Sequence, residues 1–120
     1  MANELAVQWQ EAFNAGDAAG VAALYTADGV LHLASGEVAR GPDAVQAWAQ
    51  AQIDAGLTIE IVSEASEVLA DEIVYGSGTW AFLDGEGQQV LAGKWAAVDM
   101  MDGDAWKVHR HFASVPYQLE

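Results

Sequence analysis

The sequence predicts an α+β fold, with three N-terminal helices packed on a curved antiparallel sheet. Two observations carry this. Apolar residues recur about every four positions in the helical segments before Gly56, and every second position from Leu57 onward. The later connections are short and rich in turn residues: Ala70-Asp71-Glu72, Asp84-Gly85-Glu86-Gly87 and Asp102-Gly103. Short turns between long strands make antiparallel hairpins. The 120 residues are enough for one domain with a real core, taken as residues 1–118. Leu119-Glu120 reads as a cloning residue.

The first helix is expected from Asn3, a suitable N-cap, to Ala15. Its apolar stripe is Leu5, Trp9 and Phe13. Gly16 stops it, and Asp17 caps a shorter second helix that turns Val21, Leu24 and Tyr25 inward. Thr26-Ala27-Asp28-Gly29 reads as a turn, followed by a short strand from Val30 to Ala34. Gly41-Pro42 opens the third helix, because proline suits the first helical position. Val45, Trp48, Ala49 and Ile53 form its stripe, and Gly56 ends it. Four strands follow: Leu57–Leu69, Ile73–Leu83, Gln88–Met101 and Ala105–Val115.

Charge and composition exclude several roles. The formal net charge is −14, from 18 acids and four Lys and Arg. Such a surface repels phosphate backbones and anionic headgroups, so neither nucleic acid nor membrane is an expected partner. No apolar run approaches the roughly 18 residues of a membrane span. The N-terminal stretch carries acids and lacks the basic start of a signal peptide, which points to a cytoplasmic protein. With no cysteine, disulfides and thiolate chemistry are excluded.

A turn at Asp102-Gly103 sets the register of the last hairpin. Asp99 then faces Trp106, Ala97 faces Val108, and Trp95 faces Arg110. One sheet face carries Trp95, Asp99, Arg110 and Phe112, while His109 and His111 take the other. A connection of two or four residues after Leu83 adds Val74, Gly76, Gly78, Trp80 and Phe82 to the Trp95 face. Glycines beside large aromatics mark bends or leave room for a ligand.

The stretches WQEAFNAGDAAGVAALYTADGVL, RGPDAVQAW and GKWAAVDMMDGDAWKVHRHFASVP, in this order and spacing, resemble the nuclear-transport-factor-2-like superfamily. The resemblance runs from about Glu4 to Pro116 and is to its small bacterial SnoaL-like and ketosteroid-isomerase-like members. It implies a cone-shaped fold, a pocket inside the cone, and a homodimer packed through the sheet. Members include isomerases, cyclases, dehydratases and epoxide hydrolases, as well as non-catalytic binding and assembly domains, so fold does not choose among them. Ketosteroid isomerases carry an aspartate base late in the first strand, where this chain reads His32-Leu33-Ala34-Ser35. Many relatives carry a histidine pair on the face of the last strand's tryptophan, where the register above puts Arg110 and Phe112.

Three polar residues are the catalytic candidates. His32 alternates with leucines and can point into the cone as an acid or base, or sit as a core histidine bonded to backbone. Asp99 and Arg110 share the apolar face, as a base tuned by its cation or as a structural ion pair. Trp80, Trp95, Tyr25 and Phe13 are candidate ligand walls, whereas Trp9 and Trp48 fall on helix stripes and read as core. His109 and His111 alternate, but no third ligand has convincing spacing, so neither metal nor cofactor is expected. The expected function is a cofactor-free acid–base enzyme of isomerase, cyclase, dehydratase or hydrolase type, acting on a small hydrophobic molecule. The alternative is a non-catalytic ligand-binding or dimerisation domain.

Overall fold

The computed structural model describes residues 2–115; Leu119-Glu120, read above as a cloning residue, lie outside them. The elements run α1 (Ala2–Asn14), α2 (Ala18–Ala22), β1 (Tyr25–His32), β2 (Val38–Arg40), α3 (Pro42–Asp54), β3 (Thr58–Ala70), β4 (Ile73–Leu83), β5 (Gln89–Asp102) and β6 (Ala105–Ser114). The six strands form one unclosed sheet in the order β2-β1-β6-β5-β4-β3. Its pairings are antiparallel except for the parallel pair β1–β6. The α+β architecture expected from the change of apolar period is what forms.

The helical stripes cover the inner face of the sheet. Leu5, Trp9 and Phe13 are all buried, and Val21 and Val45 are fully enclosed between α2 and α3. Helix α1 starts at Ala2, so Asn3 lies within it instead of capping it. Asp17 does cap α2, its carboxylate accepting the Gly20 N–H at 2.9 Å. At the other end of α1, Asn14 accepts the Ile59 N–H and donates to the Ile59 carbonyl, while Gln10 accepts the Ile61 N–H. The helix thereby occupies backbone groups on edge strand β3 that would otherwise be open to another chain.

Strand β4 alternates as expected, with Val74, Gly76, Gly78, Trp80 and Phe82 inward. Gly78 pairs with Trp95, and Trp80 pairs with Gly93. Each tryptophan lies across its glycine partner. Trp95 donates Nε1–H to the Val62 carbonyl, and Trp80 donates to that of Lys94. A Cβ at Gly78 would collide with the Val62 carbonyl, so this close approach requires glycine.

Two local readings of the sequence are corrected. The stretch Thr26 to Gly29 is not a turn between elements but part of β1. Its ladder to β6 is interrupted between Tyr25 and Val30, where Ala27 and Asp28 face solvent. The turn composition therefore marks a bulge inside a strand. The second correction is the last hairpin. Asp102 pairs with Ala105, so the connection is Gly103-Asp104. Gly103 has a φ of 65°, and no residue other than glycine has positive φ among the described residues. An Asp102-Gly103 turn needs positive φ at both positions; placing Gly103 first needs it only at glycine.

The shift moves the register by two residues and by itself leaves every side chain on its expected face. A bulge then reverses the end of β6. Asp99 pairs with Val108 but Val98 pairs with Arg110, leaving His109 as an extra residue. Beyond it, His111 pairs with Ala97 and turns inward, while Arg110 and Phe112 turn outward.

Candidate functional site

Between the helices and the inner sheet face lies a cavity of about 290 Å³. Indoles from both layers wall it: Trp9 and Trp48 from the helices, Trp80 and Trp95 from the sheet. Ser35, Glu37 and Leu91 are its exposed lining residues and mark its mouth. The helix-stripe tryptophans, read from sequence as core alone, are cavity walls as well. Phe13 lies behind them, stacked on Trp9 at 5.4 Å and outside the lining.

Asp99 lines this cavity from the middle of β5. Its side chain is 1% exposed, and its Oδ1 has no hydrogen-bond partner. The cation expected beside it is elsewhere. Arg110 donates from Nη1 to the carbonyls of Asp28 and His109, at 2.9 and 2.8 Å. It thus fastens the β1 bulge on the outer side. Burial pushes the Asp99 carboxyl up to about 6.

His111 is the second polar group in the cavity, delivered there by the bulge. Its Nδ1 lies 2.7 Å from the Tyr25 hydroxyl, which also accepts the Trp9 Nε1–H at 3.0 Å. Since Trp9 can only donate, the tyrosine has its own proton available for Nδ1. That arrangement leaves the ring proton of a neutral His111 on Nε2. Burial lowers the histidine to about 4, which keeps it neutral at physiological pH. Burial raises the Tyr25 phenol well above its usual range, the Trp9 N–H partly offsets this, and the Asp99 charge adds to it. Tyr25 is therefore a buried link behind His111 and is absent from the cavity lining.

His32 is not in the cavity. It points to the outer face and stacks on Phe112, with ring centroids 4.6 Å apart. Its neighbours Leu31 and Leu33 take the inward positions. His109 also engages protein, its Nδ1 3.0 Å from the Thr26 hydroxyl. Of the three catalytic candidates read from the sequence, the structure brings only Asp99 to the cavity. His111 was missed because an alternating pattern cannot show a one-residue bulge.

A helix-covered, unclosed curved sheet around an apolar cavity is the architecture of the nuclear-transport-factor-2-like superfamily. Within it, the chain belongs to the SnoaL-like domain family, whose model matches residues 6–109. Solved structures share the fold at low sequence identity. A ketosteroid isomerase-like protein from Erwinia carotovora atroseptica is 17% identical, with a TM-score of 0.79, over 97% of this chain and 94% of that one. An NTF2-like protein with a cystatin-like fold from Novosphingobium aromaticivorans is 15% identical, with a TM-score of 0.83, over 93% and 77%. A putative calcium/calmodulin dependent protein kinase II association domain from Xanthomonas campestris is 21% identical, with a TM-score of 0.84, over 98% and 87%. No curated protein matches the chain. No helix among the described residues is long and apolar enough to cross a membrane.

Proposed function

We propose that this chain holds a small, mostly apolar molecule inside the cone and exchanges a proton with it through Asp99. The observation that carries this reading is that Asp99, whose buried Oδ1 has no hydrogen-bond partner, lines the same cavity as His111. A carboxyl pushed up to about 6 is substantially ionised at neutral pH yet basic enough to take a proton. His111, neutral and held by Tyr25, is a poor base. Its Nε2–H is left available as a donor to the bound molecule. Both groups sit among indole walls that exclude water and strengthen such contacts.

The protein works as a cytoplasmic homodimer in this reading. The outer sheet face supports the dimer, because it presents Val62, Tyr75, Ala96, Val98 and Phe112, with Val62 54% and Phe112 45% exposed. An outer face carrying these apolar residues among Thr79, Lys94 and Ser77 is one that an isologous interface between two copies can cover.

Mass spectrometry of small molecules released from the purified, denatured protein tests the reading. The recovered molecule is then incubated with fresh protein and with Asp99→Asn. A new chromatographic product with the unaltered protein only is the expected result. Recovery unchanged from both would leave a binding domain without turnover.

A further inference from the structure

The cavity also carries information about the charge of what fills it. Among the described residues its lining holds two carboxylates, Asp99 deep inside and Glu37 at the mouth, and no lysine or arginine. The protein supplies no donor to Asp99 Oδ1. Three nearby indole N–H groups are already committed: Trp9 to Tyr25, Trp80 to Lys94, and Trp95 to Val62. What these side chains still offer is aromatic surface, which attracts cations through the ring quadrupole. A chain with 18 acids against four Lys and Arg also concentrates cations around itself and repels anions.

We propose that the ligand of this cavity is a protonated amine on a compact, flat apolar skeleton, its ammonium group paired with Asp99 and its body enclosed by the four tryptophans. This rests on the reading that the cavity is the ligand site. A carboxylate in apolar surroundings is costly unless a counter-charge joins it. A neutral molecule brings no counter-charge, and a carboxylic acid adds a second negative one. An ammonium ion brings a counter-charge into the cavity together with the missing donor. The volume of about 290 Å³ falls at the low end of the range of small-molecule pockets, which selects a compact skeleton.

Isothermal titration calorimetry with three matched probes tests this: 1-naphthylmethylamine, 1-naphthylmethanol and 1-naphthoate. In the unaltered protein the amine is expected to bind at least roughly tenfold tighter than the alcohol, with the naphthoate weakest. The amine's advantage should shrink to about twofold or less in Asp99→Asn, and its binding should strengthen as Asp99 ionises between about pH 5 and pH 7.5. Equal or tighter binding of the alcohol in the unaltered protein overturns the amine proposal while leaving the cavity reading intact. So does an amine advantage that persists in a folded Asp99→Asn. Failure of all three probes to bind overturns both. The comparison of amine with alcohol in the unaltered protein decides the matter even if the variant does not fold.

Discussion

Asp99 and His111 sit in one cavity and pull the pH dependence of stability in opposite directions. Asp99 has its carboxyl raised from 3.8 to about 6. Between those values the folded chain holds a proton that the unfolded chain has lost, so stability falls as pH rises. Above pH 6 the cost of the buried charge is about 3 kcal/mol, at about 1.4 kcal/mol per decade of pH. His111 is lowered from 6.5 to about 4. Across that window the unfolded chain holds the extra proton, so stability rises with pH. The two slopes oppose each other over nearly the same range. Asp99→Asn removes one of them. Denaturant unfolding should show the variant gaining on the unaltered protein by about 2 kcal/mol between pH 4 and pH 7. A difference independent of pH would mean that Asp99 does not titrate in this window.

Legibility from sequence varied with the element. Strand β4 was readable because its alternation runs without interruption from Val74 to Phe82. The α3 start was readable because proline occupies the first helical position. Strand β6 was readable only as far as Val108. The extra residue His109 reverses every later side chain, and nothing in its composition announces a bulge. Strand β1 differs: its composition does signal an irregularity, but the turn-like residues form a bulge fastened by Arg110 from outside and not a connection between elements. The short β2 was not read at all. Its three residues are too few to display a period. The candidate site inherited these failures. Asp99, on an unbroken part of β5, was placed correctly, whereas His32 and Arg110 were placed inside and lie outside. A prediction at this scale concerns the Trp–Gly pairs that shape the cavity wall. Gly78→Ala puts a Cβ into the Val62 carbonyl and within 3.0 Å of the Trp95 Nε1. It should cost about 1–3 kcal/mol and alter the near-ultraviolet circular dichroism through Trp95. An unchanged melting temperature and spectrum would show that β3 can move away freely.

At the scale of the molecule, the sheet divides the work between its faces. The inner face carries the cavity and its buried acid, while the outer face carries the exposed Val62 and Phe112 on which the proposed dimer rests. A charge placed on that surface should separate the copies without touching the site. Sedimentation of Val62→Glu combined with Phe112→Glu should report a monomer where the unaltered chain sediments as a dimer. Identical sedimentation of the two would place the interface elsewhere.

Asp99 is a buried acid whose Oδ1 has no hydrogen-bond partner. Its ionisation can be followed directly by carbon-detected nuclear magnetic resonance of the Asp99 side-chain carboxyl, assigned through the Asp99→Asn variant. The ligand-free protein should show that carbon titrating with a midpoint at about 6. A midpoint at or below the ordinary value of 3.8 would contradict it, because Asp99 would then be solvated or paired.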